Sequence, residues 1–281
     1  MKLMRAGAAI AALTFASLSA SPALADDGVL QAQPASQWHV ALEDGLCHLV
    51  RTFTVGEAEI QFILRRRAPY HPFELNVVSD DIPHRKRSPV TQYDIAAEPI
   101  QHEVSYHLKD GEWEGFSVNL RGDYFASPVE QSLVITDAFA SDFALPMANL
   151  GSALTVMDQC LDEVVRSWGL DPAQQRSLTK MAEPDGDVGE LIIEALGRTR
   201  RASERLGQDS LYTRILVGAD GRPTGCSIEG GVGESDDGKD ACRVIMRNAR
   251  FTPALDADGQ PVESFVVMEG YTYERRSVYF L

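Results

Sequence analysis

The chain is short of cations, of cysteines and of recognisable catalytic signatures. Its 281 residues carry 26 Lys and Arg against 41 Asp and Glu, a formal net charge of −15. That deficit excludes nucleic acid and anionic membrane as natural partners unless a basic face is segregated from the rest. After residue 25 no apolar run is long enough to span a bilayer. There is no C-x-x-C pair, no G-x-S-x-G elbow, no phosphate-binding loop and no dinucleotide fingerprint. Internal repeats, low-complexity tracts and a long Pro-rich spacer are missing as well. What is there is ordinary for a globular chain. Hydrophobic content is 44%, with 22 Gly and 14 Pro, so a packed core is expected and general disorder is not. The length suits one or two domains.

Residues 1–25 read as a leader. Lys2 and Arg5 precede an Ala-rich apolar stretch at 6–20, and Ala23-Leu24-Ala25 forms a small-x-small cleavage site. The expectation is a signal peptide removed after Ala25 and a soluble mature protein in the periplasm; the alternative is an uncleaved anchor. Thiols oxidise in that compartment. The four cysteines, Cys47, Cys160, Cys226 and Cys242, all follow the leader and allow three pairings.

Residues 26–37 are small and polar and predict a loose lead-in. Alternation and turn residues then predict strands near 38–41, 46–53, 59–65, 73–78, 102–108, 114–120 and 131–135. The texture changes at residues 147–168, where Leu150, Leu154, Met157, Leu161, Val164 and Trp168 recur at helical spacing. Gly169 and Pro172 end that helix. Its apolar face should pack on the sheet, which brings Cys160 within reach of a strand bearing Cys47. The first domain, β-rich with one packing helix, is placed at 26–171. Residues 172–208 read as a connector with flexible flanks and one short helix near 188–205.

The rest, 209–281, is a small α+β module. Residues 211–217 alternate as a strand, Asp220-Gly221 makes a hairpin turn, and 223–230 return. A Gly-rich acidic loop leads to a helix at 240–248, with Ala241, Val244, Ile245 and Ala249 on one face. A second turn at 256–259 leads to a closing strand at 261–268. The order is strand, strand, helix, strand. Because the helix must cover this sheet, Cys226 on the second strand pairs with Cys242 on the helix, leaving Cys47 for Cys160. Phe265, Val266, Val267 and Met268 form a continuous apolar run, which suits a strand buried on both faces. Beyond Gly270 the tail keeps strand character, with Tyr271, Tyr273, Val278, Tyr279 and Phe280. Either it folds back on its own sheet or it pairs with a second molecule as a homodimer.

The stretches V-x-A-D-G-R-P-T-G-C (217–226) and A-R-F-T-P-A-x-D-A-D-G-Q-P-V (249–262) resemble the TonB C-terminal domain family. The resemblance covers residues of about 207–270. It implies a ββαβ module that recruits an extended peptide from an outer-membrane receptor by strand addition. The family's Tyr-Pro and Gly-x-Val opening is replaced here by Gly207-Gln208-Asp209-Ser210, and no binding residues are carried over. In the first domain, C-L-x-x-V-V-x-x-W-G-L-D (160–171) and W-x-V…C-x-L-x-R (38–51) are faintly similar to secreted proteins related to invasion-associated locus B. That supports only a β-rich secreted domain.

The expected function is a periplasmic protein- or peptide-binding adaptor, with Val262, Phe265, Val266, Val267 and Met268 as the candidate partner edge. A disulfide-stapled structural protein of the envelope is the alternative, and a hydrolase in the first domain the third. No catalytic residue, metal ligand or cofactor is assigned. His84, His102 and His107 lack a metal-binding spacing. Asp80-Asp81 and Asp236-Asp237 read as a solvated turn and a helix N-terminus. Two basic runs, Arg65-Arg66-Arg67 and Arg85-Lys86-Arg87, read as solvated loop tips or as a patch for an anionic partner, the protein's own acidic face included.

Overall fold

The computed structural model describes residues 28–43, 45–83, 91–94, 100–102, 106–110, 113–120, 125, 132–136, 138–189, 191, 211–229, 236–273 and 277–280. The leader and the basic run at 85–87 lie outside them. The protein is mixed α+β, with strand outweighing helix. Among the described residues no helix is long and apolar enough to cross a membrane.

The N-terminal half contains β1 (Leu30–Gln31), β2 (Gln33–Pro34), β3 (His39–Glu43), β4 (Leu46–Val55), β5 (Ala58–Arg66) and β6 (Phe73–Ser79). These are followed by β7 (Thr91–Asp94), β8 (Ile100–His102), β9 (Tyr106–Asp110), β10 (Trp113–Leu120), β11 (Ser132–Ile135), β12 (Phe143–Pro146) and helix α1 (Leu150–Ser167). One sheet runs β2-β4-β5-β6-β10-β9 with β3 also on β4; the second runs β1-β12-β11-β7-β8. Alternation builds the layers. Cys47, Leu49 and Phe53 of β4 and Ile60, Phe62 and Leu64 of β5 all point into one core. Phe116 of β10, Leu133 and Ile135 of β11 and Phe143 of β12 close it from the other strands. Helix α1 adds Leu150, Ala153, Met157, Leu161 and Val164, close to the predicted stripe. The Cys47–Cys160 disulfide ties β4 to α1 across 113 residues.

Three expectations for this half need correction. The lead-in is not loose: β1 pairs in parallel with β12, β2 pairs with β4, and Ala32 is buried. The single strand predicted at 102–108 is two, because β8 ends in one sheet and β9 begins in the other. Period-two alternation carries no information about which sheet a strand joins. The strands expected from alternation omit β12, since Phe143, Ala144 and Leu145 are all buried and show no alternation.

The C-terminal half contains α2 (Pro172–Arg176), β13 (Glu183–Pro184), β14 (Leu211–Val217), β15 (Pro223–Glu229), α3 (Asp236–Asn248), β16 (Phe251–Thr252), β17 (Ala254–Leu255), β18 (Pro261–Val262), β19 (Ser264–Tyr273) and β20 (Ser277–Phe280). Four strands form one sheet in the order β15-β14-β19-β20. The order strand, strand, helix, strand is that of β14, β15, α3 and β19. The connector is not a tether in its described part. Asp171 caps α2 by accepting the Ala173 amide at 3.0 Å, β13 pairs with β16, and Lys180 bridges to Leu255. Helical backbone is present at Val188, Gly189 and Leu191; the remainder of the predicted helix lies outside the described residues.

Candidate functional site

The C-terminal sheet is built around a tight hairpin. Asp220 Oδ1 accepts the Arg222 amide at 3.0 Å, and Gly221 sits at φ 75°, where a side chain is strained. The Gly221 carbonyl accepts the Phe251 amide at 2.9 Å. A β-carbon on Gly221 would lie 2.2 Å from the Phe251 carbonyl oxygen. The two stretches that carry the family resemblance therefore touch each other, and glycine is needed at their contact. Asp256 Oδ1 closes the second turn by accepting the amides of Asp258 and Gln260 at 2.9 and 2.8 Å. Helix α3 covers one face of the sheet with Ala241 and Ile245, both fully buried, and the Cys226–Cys242 disulfide pins it to β15.

The candidate partner edge is divided between two strands. Val262 belongs to a separate ribbon, paired with Ala254. Phe265 to Met268 lie on β19, paired with β14 on one side; on the other side β20 pairs only with Gly270–Tyr273, so among the described residues no strand pairs with Phe265 to Met268 there. Their side chains are used on both faces, as their continuous apolar run predicts. Val266 and Met268 pack with the α3 core, while Phe265 and Val267 face Ala68, Val165 and Leu170 of the N-terminal half. The tail folds back, β20 pairing with Gly270–Tyr273 of β19. The strand left at the outer end of the sheet on the hairpin side is β15.

The face of the sheet opposite α3 docks on the N-terminal half. Phe265 meets Trp168 edge-on with ring centroids 5.0 Å apart, and Ala68, Val165 and Leu170 complete a small apolar cluster. Trp168, predicted to join the helix stripe against the first sheet, packs against Phe265 and partly against the first core. Fully buried Gln175 sits at the rim, donating from Nε2 to the Glu263 carbonyl at 2.9 Å and accepting from Ser264 Oγ at 2.7 Å. Glu229, the only charged residue on β15, is held by Arg67 at 3.3 Å and by Arg214 at 3.6 Å. The two guanidiniums stack on Tyr212 and Trp168 respectively. Burial pulls Arg214 below the ordinary arginine range, and Glu229 opposes that shift.

The Arg65-Arg66-Arg67 run is thus not a solvated loop tip. Arg65 and Arg66 are on β5, Arg65 pairing with Glu74 at 3.4 Å and Arg66 lying over the Phe73 ring at 4.2 Å. Of the readings for this run, attachment to the protein's own acidic residues matches the Arg67–Glu229 pair. The rest of the expected sites stay apart. His84 and the side chains of His102 and His107 lie outside the described residues. Asp80 Oδ1 accepts the Glu59 amide in a turn, and Asp236 lies at the start of α3 beside Lys239. No cluster of metal-ligating side chains occurs among the described residues. Sequence reading did not single out Gln175 or Tyr212, because only the docked geometry gives them a role. Compared with known proteins, the chain matches no family model, no curated protein and no solved structure.

Proposed function

We propose that this is a periplasmic binding adaptor whose C-terminal module is TonB-like and takes an extended segment of a partner protein as an added strand. The observation that carries this reading is the position of β15 at the outer end of the four-stranded sheet. A terminal strand presents backbone N–H and C=O groups that an extended peptide can satisfy. One face of the sheet is covered by α3 and the other by the first domain, so backbone recognition at the edge is the mode left to it. The one charge on β15, at Glu229, is neutralised by two arginines and does not repel an incoming strand. The leader and the two disulfides support an oxidising compartment. The partner class is an outer-membrane receptor or another protein with an extended segment; a link to transport requires that the leader be retained as an anchor.

A stapled structural protein of the envelope is the second reading. It is favoured by β20, which closes part of β19 with the chain's own tail. A crosslinking pull-down from the intact envelope separates the two. The adaptor reading expects one outer-membrane protein recovered in stoichiometric amount. Recovery of no protein partner supports the structural reading instead.

A further inference from the structure

A groove of about 570 Å³ opens between the β5–β6 loop and helices α1 and α2. It is lined by Arg66, Pro69, Tyr70, Asp158, Asp162 and Arg176, with Leu161 at its base. That volume is within the range of small-ligand sites. None of these residues belongs to the strand edge discussed above.

The charges are arranged as a dipole. Asp158 and Asp162 stand one turn apart on α1 and share a face. Asp162 is ion-paired with Arg176. Asp158 accepts no hydrogen bond from a described residue, although it lies near Arg66 and Arg176. Loss of water raises its carboxyl above the ordinary range against the pull of both cations. Arg66 is 8% exposed and rigid, with its guanidinium over Phe73 and its Nε donating to the His71 carbonyl at 2.8 Å. Arg176 is half-exposed, and a guanidinium has five N–H donors, more than one ion pair uses.

The wall is aromatic and strained. Tyr70 has φ 65°, a left-handed conformation that strains a bulky residue. Its hydroxyl holds it there by donating to the Arg176 carbonyl at 2.9 Å. The ring is 49% exposed, an unusual surface for a residue held so firmly. Strain of this kind concentrates at ligand sites. Pro69, Tyr70 and Leu161 give the groove an apolar side next to its charges.

We propose that this groove binds a zwitterionic ligand of the amino-acid class, with the ammonium on Asp158, the carboxylate towards Arg176 and the side chain against Tyr70. A groove with equal numbers of cations and anions disfavours a ligand of one sign and suits one carrying both. A free amino acid and a short peptide share this chemistry, and the volume admits either.

Calorimetric titration of the full disulfide-bonded protein tests the assignment, with free phenylalanine, the dipeptide Ala-Phe and N-acetyl-phenylalanine amide as probes. Saturable binding of at least one zwitterionic probe is expected, with the capped amide roughly tenfold or more weaker. Phenylalanine tighter than Ala-Phe marks the free amino acid as the source, and the reverse marks a peptide. Asp158→Asn should cut zwitterion affinity roughly tenfold while leaving the melting temperature within about two degrees, since Asp158 holds up no described element. Equal binding of the capped and zwitterionic probes, no binding at 10-millimolar order, or no effect of Asp158→Asn on affinity would overturn the proposal.

Discussion

Replacing Phe265 by alanine removes the anchor between the two halves of the protein. The side chain is 4% exposed and packs on Trp168 at 5.0 Å, with Ala68, Val165 and Leu170 around it. Truncating a buried phenylalanine costs about 3–5 kcal/mol from lost transfer energy and the cavity left behind. The edge-on ring pair contributes about 1 kcal/mol of that beyond its area. Trp168→Ala should cost a similar amount, because Trp168 also supports the Arg214 guanidinium. The double variant should then be less destabilised than the sum, by about 1 kcal/mol, since each single change already loses the shared contact. Urea unfolding of the four proteins, followed by intrinsic fluorescence and by circular dichroism, gives the cycle. With Phe265→Ala the two probes should also separate, the C-terminal sheet melting before the first domain. Strict additivity, or a single variant costing less than about 1 kcal/mol, would refute a docked junction.

Gly221→Ala should destabilise the C-terminal sheet by more than about 1 kcal/mol in thermal melts, because positive φ and the approach of the Phe251 carbonyl both act against a β-carbon. Non-reducing peptide mapping should find Cys47–Cys160 and Cys226–Cys242. Loop-closure entropy assigns them about 5 and about 3 kcal/mol, so losing the longer bridge should lower the urea midpoint more. Burial drops the pKa of His71 to about 4 from the ordinary 6.5. The folded form stays neutral while the unfolded form takes up a proton. This contribution is therefore fully present above pH 6.5 and is lost as pH falls towards 4, by about 3 kcal/mol in all. His71→Gln should flatten the stability profile over that window; an unchanged slope would show that His71 titrates normally.

The sequence carried the local plan well. Asp220-Gly221 at the hairpin, the Ala241/Ile245/Ala249 face of α3 and both disulfide pairs depend on spacing within a few residues or on which elements must pack. So does the double-sided burial of Phe265 to Met268. What it did not carry depends on contacts between distant segments. The lead-in at 28–34 looks loose because its polar residues say nothing of the edges waiting for it on β12 and β4. That β19 gains a second partner only from Gly270 onward follows from where the tail returns on it. Arg67 reads as one more solvated cation until Glu229 and Tyr212 are placed beside it. For the groove, Tyr70 carries no sequence mark at all, since its left-handed backbone is imposed by the anchoring of its hydroxyl on α2.

Strand addition at β15 is tested most directly by a photo-crosslinking residue placed at Thr224. This side chain is exposed on that strand. The control is the same residue at Val156, which is 48% exposed on α1. Illumination of the intact envelope should give a discrete adduct between the Thr224 protein and one outer-membrane protein, with the attached peptide mapping to an extended segment of that partner, and none from Val156. No adduct at Thr224, or the same adducts from both positions, would contradict recognition at this edge.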